Sequence, residues 1–192
     1  MQLPIDFVIA TLDDIPSVLS LQDKYLVTHL SDEEKKEGFV TTPFTVEQLQ
    51  FVISNKGLFL AKNGTETIAY IFGASWEFFK QWPIFDYMTT LFSQFQFKNF
   101  TITTSNSFQY GPICIDKKFR GSGLIFPLFE FMRIHMKGNY PLGITFINKI
   151  NIPSFKAHTE KLKWEVIDEF NFNNNSYFVL AYDMRQKEIH SS

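Results

Sequence analysis

Two glycines and a cation stand where the chain changes rhythm. Ile113-Cys114-Ile115 reads as strand, residues 124–132 repeat apolar side chains at helical spacing, and Arg120-Gly121-Ser122-Gly123 lies between them. A strand that feeds a helix leaves the first helical amides unpaired, with the positive end of the helix dipole beside them. Such a junction binds anions. Gly121 and Gly123 remove side chains that would hold a bulky phosphate away, and Arg120 adds a fixed charge at the rim. The pattern fits a ligand with a phosphate or pyrophosphate, although a turn that merely joins strand to helix would show the same residues.

Two common phosphate loops do not match. A P-loop needs Lys-Ser/Thr after its last glycine, and no lysine follows Gly123 in that register. A dinucleotide fingerprint needs a third glycine three places on, where Phe126 stands.

The surrounding elements alternate strand and helix. Residues 5–10 read as a strand, and Thr11 with Asp14 forms a capping pair for a helix to about Tyr25. The polar stretch 29–43 is a loop or a short solvated helix. Thr45 and Gln48 repeat the capping pair, and Val46, Leu49, Val52 and Ile53 share one face of the next helix. Asn63-Gly64 joins two apolar runs as a tight hairpin. After the phosphate helix, PLGITFI is a strand, Asn151 starts a short helix with Pro153 in its first turn, and Asn173 to Asn175 turn between two final strands. The chain reads as a single domain over residues 1–192, with an aromatic-rich insertion at about 76–100 that either walls a ligand site or packs as a helix on the sheet.

Composition narrows the function classes. With 192 residues, 45% of them hydrophobic, the chain can bury a real core. The net charge of -2 offers no broad cationic surface for nucleic acid. A single cysteine, Cys114, excludes an internal disulfide framework and fits the reducing cytoplasm. The first ten residues lack a basic leader region, and no long apolar run suggests a membrane span. His29, His135 and His190 show no metal-ligand spacing, so no metal site is expected.

Arg120-Gly121-Ser122-Gly123, with its lead-in Ile115-Asp116-Lys117-Lys118-Phe119, resembles the pyrophosphate motif of the GNAT N-acetyltransferase superfamily. Asn151-Ile152-Pro153-Ser154, followed by His158 and Leu162-Lys163-Trp164, is similar to its second coenzyme motif. Ile125 stands where a small residue is usual, Lys163 where glycine is usual, and Pro127 falls within the expected helix. The element order resembles the superfamily over nearly the whole chain.

The resemblance implies an α/β (α+β) fold: a mixed, mostly antiparallel sheet split in a V between two parallel central strands, about 109–115 and 142–147, with helices on both faces. Acetyl-CoA would enter the split as co-substrate. Main-chain groups of Ile113 and Ile115 would pair with the pantetheine arm, and amides of Arg120, Gly121, Ser122, Gly123 and Leu124 would hold the pyrophosphate. Asn151 and Ser154 would contact the arm or the adenosine side. The acceptor would be a small-molecule or peptide amine, attacking the thioester directly, and a homodimer is compatible with such a domain.

The catalytic groups stand more openly. The superfamily often carries a glutamate on the strand before the loop, and FQYGPICI has none. Asp116 is the nearest carboxylate, as a base or as a turn cap; Tyr110 holds a water relay or belongs to the core. Cys114 is an acyl-enzyme nucleophile or a small buried hydrophobe. His158, or Thr159 if the register shifts by one, stands where a proton donor to the leaving thiolate is expected; the imidazolium form would serve. A non-catalytic acyl-CoA-binding sensor is the alternative reading, and a nucleotide-phosphate binder the third.

Overall fold

Local chemistry starts most of the helices. In the computed structural model, which describes residues 4–186, Thr11 and Asp14 form the expected capping box, with the Thr11 amide donating to Asp14 Oδ2 at 2.8 Å. One 3-10 turn separates it from α1 (Ile15–Tyr25). Ser31 caps the short α2 (Asp32–Lys35), and Thr45 with Gln48 caps α3 (Val46–Ser54). Leu49, Val52 and Ile53 are buried as expected, whereas Val46 is exposed. It stands at the first helical position, where the chain has just left the loop.

The strands are β1 (Ile5–Ile9), β2 (Leu58–Asn63), β3 (Glu66–Ala74), β4 (Gln96–Phe97), β5 (Phe100–Thr101), β6 (Ser107–Ile115), β7 (Leu142–Asn148), β8 (Glu165–Phe172) and β9 (Asn175–Asp183). Seven of them form one sheet in the order β1-β2-β3-β6-β7-β9-β8, in which only β6 and β7 run parallel. Side chains alternate across it: Leu60, Tyr70 and Phe72 face α1 and α3, while Phe59, Ala69 and Ile71 face α6 (Ile125–Met136). The fold is thus a mixed, mostly antiparallel sheet with helices on both faces.

The parallel pairing is short. It runs from Ser107↔Leu142 to Gln109↔Ile144 and stops. The next carbonyl along β6, that of Tyr110, accepts a 2.7 Å hydrogen bond from Gln109 Nε2 instead of a rung from β7. Pro112 then has no amide hydrogen to offer. A bulge at the same place sets two residues of β6, Gly111 and Pro112, against one of β3, Phe72, so Tyr110 and Ile113 point to the same face. Beyond Gln109 the two strands part into the V.

The aromatic insertion forms α4 (Trp76–Phe79), α5 (Pro83–Thr90) and β4. Trp76, Phe78, Phe79, Phe85, Met88 and Phe92 are buried in the core on the α1 side, and none of them lines the cleft described below. Of the two expectations for this segment, packing against the sheet is the one observed. Large apolar areas win over solvent exposure at a ligand wall.

Candidate functional site

The hydrogen-bond phase of β6 sets what faces the split. The Asp116 amide donates to the Ile68 carbonyl at 2.8 Å, so Ile115↔Ala69 and Ile113↔Ile71 are the non-hydrogen-bonded pairs of the antiparallel ladder. The amides and carbonyls of Ile113 and Ile115 therefore point away from β3, into the space that β7 has left. This strand edge, without a neighbouring strand, lines one arm of the V; of its groups the Ile115 carbonyl is taken by Arg120.

That edge runs into the glycine loop. Gly121 and Gly123 have φ of +77° and +86°, and a Cβ on either would meet no atom within 4 Å. The backbone here is bare toward open space. The amides of Arg120 and Ser122 are spent on the Lys117 and Phe119 carbonyls, at 3.2 and 3.4 Å. Among the described residues, no acceptor takes the amides of Gly121, Gly123, Leu124 or Ile125. Of the amides expected to serve over 120–124, those of Arg120 and Ser122 are thus engaged within the loop, while those of Gly121, Gly123 and Leu124, and beyond them Ile125, are left open. The Ile125 side chain is largely buried in the core cluster beneath α6, and it also borders the cavity beside the loop. Pro127 falls in the first turn of α6, where its missing amide hydrogen costs little.

Arg120 does something other than wait at a rim. Its Nε donates to the Ile115 carbonyl at 2.9 Å, its Nη1 donates to the Glu37 carbonyl at 2.7 Å, and the guanidinium lies 4.5 Å from the Tyr25 ring centre. Asn151 acts in parallel from the other arm. Its Nδ2 donates to the Phe39 carbonyl at 3.3 Å, and its Oδ1 accepts from the Ser154 amide as the cap of α7 (Ile152–Lys156). Both side chains brace the segment 37–40, which also binds through Glu37 to Lys117 at 2.8 Å and through the Val40 amide to the Tyr25 carbonyl. Sequence reading missed this strap. Its only local signal was Gly38, which ends a charged run with φ +101°.

Strap, β6 edge, glycine loop and α7 enclose a cavity of about 280 Å³, lined among others by Phe39, Ile113, Arg120, Gly123, Ser154 and His158. A second cavity of about 90 Å³ lies against it deeper in the V, sharing Phe39, Val40, Ile113, Asn151, Ser154 and His158. The Ser154 hydroxyl lies 3.5 Å from His158 Nδ1.

His158 is 2% exposed and sits on a π-helical turn, Ala157–Lys161, that follows α7. Its Nδ1 bonds the Ser154 carbonyl at 2.7 Å, so Nδ1 carries the hydrogen and Nε2 is left with a lone pair. Burial drives its pKa down to about 4, only partly opposed by that bond. The ring is neutral near pH 7, which corrects the expected imidazolium donor. Thr159 Oγ1 is bonded to the Phe155 carbonyl at 2.9 Å and does not line either cavity.

Tyr110 packs edge-on to His158 with ring centres 5.4 Å apart and lines the smaller cavity. Its hydroxyl is buried without a partner among the described residues, and burial holds its pKa far above the usual range. Asp116 does not line either cavity; Oδ1 caps the Lys118 amide at 3.0 Å and Oδ2 meets Lys24 at 3.4 Å. The cap reading, not the base reading, describes it. Cys114 touches the larger cavity, but burial pushes its thiol up to about 12, which leaves almost no thiolate to act as a nucleophile.

Lys163 has φ +60°. The position where the resembled motif carries glycine is left-handed in this chain, a backbone that glycine adopts without strain. Among the described residues, no group of three or more His, Cys, Asp or Glu side chains is placed to hold a metal ion, and no helix is long and apolar enough to cross a membrane. His190 lies outside the described residues.

No protein-family model matches the sequence, and no curated protein matches it. Solved structures do. An N-acetyltransferase from Staphylococcus aureus superposes with a TM-score of 0.60 at 14% identity, over 95% of this chain and 99% of that one. A putative acetyltransferase from Salmonella typhimurium, solved with its cofactor acetyl-CoA, gives 0.62 at 8% identity, over 98% and 99%. The NatC complex bound to Gag peptide and CoA includes a chain that gives 0.60 at 12% identity, over 95% and 99%. At these identities the likeness concerns architecture alone: the chain has the fold of the GNAT N-acetyltransferases.

Proposed function

We propose that the protein is an acetyl-CoA-dependent N-acetyltransferase that moves an acetyl group directly onto a primary amine. One observation carries this reading. The open main-chain groups of the β6 edge, the Ile113 amide and carbonyl and the Ile115 amide, lead straight to the free amides of Gly121, Gly123, Leu124 and Ile125, so one extended ligand with amides at one end and a pyrophosphate further along is served by both. Solved structures of the same fold with acetyl-CoA or CoA support it.

In the reaction, the amine nitrogen attacks the thioester carbon, the C–S bond breaks, and one proton leaves the nitrogen as the thiolate gains one. Ile113 lines both cavities, and its main-chain amide is the donor to the developing oxyanion. Tyr110, held protonated by burial, donates a hydrogen bond toward the leaving sulfur. His158 offers the Nε2 lone pair, but a base with a pKa near 4 cannot strip an ammonium at neutral pH. The amine must arrive neutral, and positioning does most of the catalysis. The buried thiol of Cys114 suits a cytoplasmic setting.

The second reading, a non-catalytic acyl-CoA-binding module, is favoured by one observation: among the described residues, no carboxylate lines the smaller cavity. Free-thiol release from acetyl-CoA with a panel of primary amines separates the two. Release above the amine-free rate supports transfer, and saturable binding with no release supports the module.

A further inference from the structure

The smaller cavity is uncharged. Its lining combines apolar groups with neutral polar ones, Thr41, Thr145, Asn148 and Tyr177, and none of the described residues lining it is Asp, Glu, Lys or Arg. The titratable groups facing it are His158, Tyr110 and Tyr177, all uncharged at neutral pH. Glu37, Arg120 and Lys161 line the larger cavity, and Glu37 and Arg120 are both engaged in the strap.

An ammonium entering this space finds no carboxylate, and burying an unpaired charge is costly. A free amino acid would bring a carboxylate that finds no cation. The cavity, of about 90 Å³ and open to solvent on one side, has room in its interior for a small substituent beside the nitrogen. Resting on the acetyltransferase reading, we infer that the acceptor is the α-amino group of a peptide or amide whose first residue is small and uncharged, rather than a lysine side chain or a polyamine.

The chemistry of the amines agrees. With pKa values of about 7.8 and about 10.4, roughly 30% of an α-amine but only about 0.1% of a lysine amine is neutral at pH 7.4. The neutral nitrogen forms the N–C bond, the C–S bond breaks, and the proton lost from nitrogen ends on the coenzyme thiol.

The test compares kcat/KM for alanyl-alanine amide, Nα-acetyl-lysine amide and spermidine, with acetyl-CoA binding followed separately by thermal shift. The α-amine is expected to lead by at least about 100-fold at pH 7.4, and the lead to shrink about tenfold by pH 9 as the lysine amine deprotonates. Thr41→Asp, at an exposed position, places a carboxylate at the cavity and is expected to narrow the preference. Equal use of the lysine amide or spermidine at pH 7.4, or an unchanged preference in Thr41→Asp, overturns the inference and leaves the acetyltransferase reading standing. Acetyl-CoA binding with no transfer to any of the three amines overturns both.

Discussion

Gln109 Nε2 donates to the carbonyl of its own neighbour Tyr110 at 2.7 Å, and that bond stands at the fork of the sheet. It satisfies a buried carbonyl that β7 no longer reaches, so the strands can separate without leaving that oxygen bare. Gln109→Leu removes the donor and keeps the volume. The expected loss is about 1–3 kcal/mol of unfolding free energy, the cost of a buried acceptor left unpaired, measured by urea denaturation. A change below about 0.5 kcal/mol would show that the fork does not depend on this bond.

His158 makes stability fall in acid. Its folded pKa of about 4 lies below the value of 6.5 for a free ring, so the unfolded chain binds the proton first. The group contributes nothing to the pH dependence above about 6.5, costs stability as pH falls from there, and levels off below about 4. At pH 5 the loss relative to pH 7.5 is about 2 kcal/mol. Urea midpoints at the two pH values measure it, and His158→Gln is expected to flatten this part of the slope. An equal slope in the variant would assign the acid sensitivity to other groups.

The glycine loop and Arg120 separate cleanly by substitution. Gly123→Val forces a branched residue into φ +86° and fills the bare face beside the free amides, so coenzyme A affinity is expected to fall by about tenfold or more. Arg120→Ala leaves those amides in place and loosens the strap at Glu37, with a smaller effect on affinity and a larger one on thermal stability. Calorimetric titration of both variants checks the order. A greater affinity loss in Arg120→Ala would make the guanidinium the principal phosphate ligand.

Lys163 carries a left-handed backbone that glycine adopts without strain. Lys163→Gly is expected to raise stability by about 0.5–1 kcal/mol, the relief at φ +60° less the entropy that glycine adds to the unfolded chain. Thermal unfolding reads it, and a clear loss of stability would mean that the lysine side chain holds the turn.

Local chemistry made much of the fold legible. The capping boxes at Thr11 and Thr45, the hairpin at Asn63-Gly64 and the turn at Asn173 act over three or four residues, and the sequence displays both partners of each. The glycine loop was legible for the same reason. What stayed hidden depends on partners far along the chain. Arg120 reaches Glu37 and Asn151 reaches Phe39 across 83 and 112 residues. His158 loses its charge because Tyr110 and Trp164 pack around it, a burial that spacing does not express. Asp116 sits close enough to the loop in sequence to look catalytic, yet a two-residue turn and Lys24 claim both of its oxygens.

Acetyl-CoA binding in the fork of the sheet is most directly tested by thermal and urea unfolding of the whole chain with and without the ligand, using ATP at equal concentration as the comparison. Acetyl-CoA at about 100 times its dissociation constant is expected to add roughly 2.7 kcal/mol, with Gly123→Val abolishing most of the gain at the same ligand concentration. ATP, which lacks the arm that would lie along Ile113 and Ile115, is expected to add far less. No stabilisation by millimolar acetyl-CoA, or an equal gain from ATP, would contradict the assignment of this cleft to an acyl-CoA.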